Sequence, residues 1–152
     1  MPHLIEELKG HHAALKRMLD LLQNSSDKEE QLELLKAAKE RLFSHIGVED
    51  AQLYPFLREE AEKDPKLAKL LTMFDEDMTR VTELVVSFFA KYDSGWRNKN
   101  IFLMDVAELE ARLAHRIETE ENSLYPEYFN RKMNATEVTK GSVLTRLKGL
   151  FK

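Results

Sequence analysis

Two stretches of the chain carry chemically capable side chains in the same order. FSHIGVEDAQLYPFL at 43–57 and LAHRIETEENSLYPEYF at 113–129 each hold a His, then a carboxylate, then Leu-Tyr-Pro. His45 and Glu49 are four residues apart, so on a helix both side chains lie on one face. Counted back from the Pro, Glu120 corresponds to Glu49, which leaves His115 five residues ahead of its carboxylate. An ideal α-helix does not align such a pair; a one-residue π-bulge between His115 and Glu120 is expected to bring them together. A third His, His12, sits in another leucine-rich stretch. Taken singly, a His on an apolar helix face is ordinarily a core residue satisfied by a hydrogen bond. Three of them, two followed by a carboxylate, make a different case. Polar groups buried together in one core cost on the order of a few kcal/mol each unless something pairs with them. A metal cation can do so, and imidazole nitrogen with carboxylate oxygen suits iron, manganese or zinc.

The elements that must position these residues are helices. Leu4, Leu8, Leu15, Leu19 and Leu22 recur at mostly three- and four-residue steps, which predicts a first helix over 3–22. Ser26 with Glu29 fits a capping box that opens a second helix. That helix carries Leu32, Leu35, Ala38, Leu42, His45 and Glu49 as far as Pro55, which removes a donor and is expected to kink or end it. Asp64 and Pro65 read as the N-cap and first residue of a third helix. Its stripe includes Leu67, Leu71, Phe74, Met78, Val81, Val85 and Phe88, and it breaks at Asp93-Ser-Gly. A fourth helix over 99–124 bears Phe102, Val106, Leu109, Leu113 and His115. Long helices joined by short polar breaks predict an all-α, antiparallel up-down-up-down four-helix bundle over 1–130. Trp96, in the last break, is expected to plug the bundle end.

The remaining composition excludes several classes. A net charge of −4 with pI near 5.8 argues against a general nucleic-acid binder, which needs a basic face. With no Cys, thiolate metal sites and thiol nucleophiles are excluded and nothing demands an oxidising compartment, so a cytoplasmic location is expected. Neither a signal peptide nor a transmembrane segment is read in the charged, amphipathic first twenty residues.

Together, the order of His12, the His45-x3-Glu49 motif, the His115-x4-Glu120 motif and both Leu-Tyr-Pro triplets resembles the hemerythrin-like, HHE cation-binding family over about 4–129. In that family such residues hold two non-haem irons. The resemblance implies His12, His45 with Glu49, and His115 with Glu120 as metal ligands. His12 is preferred to His11 because Leu15, Leu19 and Leu22 follow it at the steps of an inward residue; His11 and His3 are expected to be exposed. Where the family carries a His pair on its third helix, this chain has Phe74 and Met78, neither of which ligates a hard or borderline cation. Three arrangements follow. One ion sits on His12, His45, Glu49, His115 and Glu120; or a second ion is completed by Asp75 or Asp77; or the site is vestigial and a His–carboxylate hydrogen-bond network holds the core without metal.

Hemerythrin-like domains imply reversible dioxygen binding, or iron, oxygen or redox sensing and iron handling. Oxygen carriage draws on two irons, so loss of the third-helix pair leaves sensing or handling ahead, with a metal ion and a small ligand such as dioxygen as partners. No separate acid–base pair or substrate signature argues for an enzyme. Tyr54 and Tyr125 each follow one of the two motifs and either hydrogen-bond near the site or, the preferred reading, cap the bundle end. The competing class is an interaction bundle. It draws on the tail over 131–152, where Val143, Leu144, Leu147, Leu150 and Phe151 form one face of a short basic amphipathic helix, which either packs back over the bundle, the preferred reading, or docks on a protein or anionic membrane surface.

Overall fold

The computed structural model describes residues 3–134. The tail helix expected beyond them lies outside the described residues. Helix α1 spans His3–Asn24 and α2 spans Lys28–Val48; α2 continues through a π-helical turn, Glu49–Leu53, into α3, Tyr54–Ala61. Helix α4 spans Pro65–Lys91, and α5 spans Lys99–Thr119 before a second π-helical turn at Glu120–Leu124. The chain then stays helical over 125–134. Helix α1 packs on α2 and α5, and α4 packs on α3 and α5, so successive helices are neighbours around a closed four-helix ring. No helix among the described residues is long and apolar enough to cross a membrane.

The breaks are set by local chemistry. Asp27, and not Ser26, caps α2, accepting from the Glu29 amide at 3.1 Å. Asp64 caps α4 by accepting from the amides of Lys66 and Leu67, with Pro65 at the first position as expected. Asn98 caps α5 through the Ile101 amide at 3.1 Å, and Gly95, at φ +93°, makes the turn before it. Trp96 closes this end of the bundle by stacking on Phe102, with ring centroids 3.7 Å apart.

Neither Pro55 nor Pro126 ends its helix. Each sits just past a π turn, in which the Tyr54 amide bonds the Glu49 carbonyl and the Tyr125 amide that of Glu120. The widened turn accommodates a residue that brings no N–H and presses on the carbonyl four back. A boundary at 130 falls within the helical stretch over 125–134, where Arg131 pairs with Asp64 at 2.5 Å and Glu127 at 2.9 Å.

The core has three layers. Towards the α4–α5 turn lies an apolar cluster including Leu15, Leu19, Leu42, Val81, Val85, Phe102, Val106 and Leu113. Towards the other end lies a second, including Leu8, Leu53, Leu57, Leu71, Phe74 and Leu124. Between them, on successive turns of α1, α2 and α5, sit the buried polar residues His12, His45, Glu49, Arg116 and Glu120. Each buried Leu or Phe contributes roughly 1.5–3 kcal/mol, and the two apolar layers hold the polar one in place.

Candidate metal centre

His12 comes from the middle of α1, where Leu8 and Leu15 bury the same face and carry it inward to 5% exposure. His45 and Glu49 come from the end of α2 and the start of its π turn; Glu120 opens the second π turn at 3% exposure. The Nε2 atoms of His12 and His45 are 3.0 Å apart, and His45 Nε2 is 2.8 Å from Glu49 Oε1. His12 Nε2 lies 3.8 Å from Glu120 Oε2. The Tyr125 hydroxyl donates to Glu120 Oε2 at 3.0 Å and sits 3.2 Å from His12 Nε2. Ligand atoms of His12, His45 and Glu120 all lie within 4.8 Å of one another.

Burial sets the protonation of this cluster. It drives the His12 pKa down to about 3, helped by His45 and His11, and it lowers His45 against the pull of Glu120. Both rings are therefore neutral and keep a lone pair to offer. Burial pushes Glu120 up to about 8, with the Glu49 charge adding to it and Arg116 opposing, and it raises Glu49 as well. Burial therefore favours the neutral form of both carboxyls.

The donor set fits a cation. Nitrogen and oxygen ligands about 2.0–2.2 Å from an ion lie roughly 3–4 Å from one another, which is the spacing found here. A cavity of about 30 Å³ opens beside these atoms, walled by Leu15, Leu42, Met78, Val81 and Leu113. It has room for one or two water-sized ligands.

The outer nitrogens of both rings face further groups. His45 Nδ1 lies 3.1 Å from His11 Nδ1, and His11 Nε2 lies 3.8 Å from Glu7. His12 Nδ1 is buried without a hydrogen bond, with Glu121 Oε1 at 3.9 Å. A hydrogen-bond partner such as His11 on His45 fixes which nitrogen of an imidazole carries the proton. His11 is thus half-buried against His45 and not exposed, because α1 packs closely on α2 at this level.

On the far side the structure departs from the expected ligand set. His115 is exposed on the outer face of α5 and takes no part in the cluster. The inward residue is its neighbour Arg116, at 4% exposure and four residues ahead of Glu120. No slip between 115 and 120 is therefore needed, and the π turn begins at Glu120 instead.

Arg116 Nε donates to Glu120 Oε1 at 2.8 Å and Nη2 to the Tyr54 hydroxyl oxygen at 2.8 Å. Its Nη1 donates to the Phe74 carbonyl at 3.0 Å and to Asp77 Oδ2 at 2.9 Å. Burial works against this charge, but Tyr54, Glu120 and Asp77 outweigh it and hold the guanidinium above its usual pKa. The guanidinium carbon also stands 4.7 Å over the Phe74 ring. Asp77 accordingly reaches inward to Arg116 and not to the His cluster, while Asp75 is exposed near Arg58 at 3.7 Å. Tyr54 and Tyr125 are buried partners of the polar layer and not merely a cap.

The model of the hemerythrin HHE cation binding domain matches residues 3–128. The chain belongs to the hemerythrin HHE cation-binding domain family. No curated protein and no solved structure matches it. Within this hemerythrin domain, the signal for Arg116 lay in the sequence: aligned on the Leu-Tyr-Pro triplets, Arg116 stands to Glu120 as His45 stands to Glu49. The two tyrosines stand in the same triplets, each five residues after its carboxylate, whereas His11 carried no comparable signal.

Proposed function

We propose that this hemerythrin domain binds one non-haem metal ion on His12, His45, Glu49 and Glu120, iron before manganese or zinc, and serves in iron, oxygen or redox sensing or in metal handling. The observation that carries the reading is the convergence of His12, His45 and Glu120, three buried residues from separate stretches of the bundle, on one point. A redox-active ion held there would supply one-electron chemistry and a place for a small ligand such as dioxygen. The two imidazoles would offer Nε2, and Glu49 and Glu120, once ionised, would bring negative charge. Tyr125 orients Glu120, while the apolar wall limits water. Reversible oxygen carriage draws on two irons and is disfavoured by the loss of His115 from the set. The absence of Cys fits a cytoplasmic protein.

A metal-free interaction bundle is the second reading, supported by the hydrogen bonds that close His12, His45 and Glu49 on themselves. The deciding experiment is metal content by plasma emission on protein purified without chelator, beside His45→Ala. About one ion per chain, lost in the variant, supports the metal site. No metal even after refolding with iron(II) overturns it in favour of the interaction bundle.

A further inference from the structure

The polar layer is built from two equivalent halves that differ in one respect. His45 and Glu49 are four residues apart and meet at 2.8 Å; Arg116 and Glu120 are four residues apart and meet at 2.8 Å. Each carboxylate opens a π turn and each turn leads into Leu-Tyr-Pro. One half presents an imidazole, which needs a cation brought from outside. The other carries its own.

Around the guanidinium gather Glu120 Oε1, the Phe74 carbonyl, Asp77 Oδ2 and the Tyr54 hydroxyl, at 2.8 to 3.0 Å. A cluster of oxygen acceptors converging inside a core is what a hard cation would require. Here a covalently attached cation satisfies all of them. Glu120 is divided between the halves, with Oε1 on Arg116 and Oε2 facing Tyr125 and His12. A divalent ion brought beside the guanidinium would meet a like charge in a poorly screened interior.

We propose that Arg116 is a built-in cation that takes the place of a second metal ion, makes Glu120 a bridge between guanidinium and bound metal, and limits the centre to one ion. The proposal rests on reading His12, His45, Glu49 and Glu120 as a metal site. Arg116 is a positioning and stoichiometry-determining residue and is not itself a ligand.

The test is a zinc(II) titration of the full chain, followed by desalting, metal counting by plasma emission and thermal unfolding. The wild type should retain one ion and Arg116→His two, with the second equivalent raising the thermal midpoint only in that variant. Arg116→Lys keeps the charge and should stay at one. If Arg116→His fails to fold, Arg116→Gln removes the charge while keeping a donor for Glu120, and should likewise rise above one. Two ions in the wild type, two in Arg116→Lys, or one in both Arg116→His and Arg116→Gln would overturn the role of Arg116 and leave the metal site standing. No ion in the wild type but one in either neutral variant would overturn the native metal site and, with it, the one-ion role of Arg116. No ion in any chain would overturn both.

Discussion

Arg116 Nε meets Glu120 Oε1 at 2.8 Å with both side chains buried, and the other carboxylate oxygen of Glu120 faces the two-histidine cluster. The pair is thus the joint between the half of the polar layer that carries its own positive charge and the half that offers neutral imidazoles. Removing Arg116 leaves Glu120 Oε1, Asp77 and the Phe74 carbonyl without their donor, and each buried group left unsatisfied costs about 1–3 kcal/mol. Arg116→Met in the metal-free chain should therefore lower the thermal midpoint by roughly 10 °C, at ~2–4 °C per kcal/mol for a chain of this size. Adding Glu120→Gln should recover part of the loss. A double-mutant cycle by urea unfolding measures the coupling; strict additivity would mean that the pair is not coupled.

The histidines should separate cleanly. His12→Ala and His45→Ala each remove an inward Nε2 and should abolish metal retention. His115→Ala, on an exposed face, should leave both metal content and stability unchanged to within ~0.5 kcal/mol. Metal loss on changing His115 would contradict the placement of Arg116 as the inward residue.

His11 acts through His45. Its Nδ1 lies 3.1 Å from the His45 ring nitrogen that faces away from the cluster. His11→Phe should weaken metal affinity by about 10-fold, within the range seen when the outer partner of a ligating imidazole is removed. Competition with a chelating dye reads this directly. An unchanged affinity would show that His45 needs no such partner.

The pH dependence of the metal-free chain follows from its carboxylates. Glu120 has its folded pKa raised to about 8, so between about 4.3 and 8 the native state binds more protons than the unfolded one. Its contribution is full below the unfolded pKa and is lost as pH rises through the folded one. His12 has its pKa lowered to about 3, so its contribution is full above about 6.5 and is lost as pH falls below it. Above pH 6.5 the acid effect is left alone, and urea midpoints should fall between pH 6.5 and 8.5. Glu120→Gln should flatten that slope. A wild-type midpoint that rises over this range would contradict a protonated, buried Glu120.

Metal uptake near pH 7 should release protons, since the ligating carboxylates must ionise. Calorimetry in buffers of different ionisation enthalpy counts them. Buffer-independent heats would mean that Glu49 and Glu120 are already ionised before the ion arrives.

Much of this protein was written along the chain. The three- and four-residue spacing of Leu4, Leu8, Leu15 and their counterparts dictated helices, and Asp64, Pro65 and the Asp93-Ser-Gly break dictated where α4 begins and ends, because periodicity, caps and turns are local properties. His12, His45, Glu49 and Glu120 could be read for the same reason: each keeps a fixed step from the leucines or the Leu-Tyr-Pro triplet beside it. What lay between neighbours in space could not be read this way. A one-residue difference in phase, about 100° around a helix, decides between His115 and Arg116, and packing resolved it by turning the His outward and the guanidinium in. The same packing brought Tyr54, from beyond the first π turn, to Arg116, and Tyr125, from beyond the second, to His12. Sequence singled out the residues that stand as candidate cation ligands. Only the meeting of the helices brought Glu120, Asp77, the Phe74 carbonyl and Tyr54 around Arg116, since a buried charge is settled by whatever surrounds it in three dimensions.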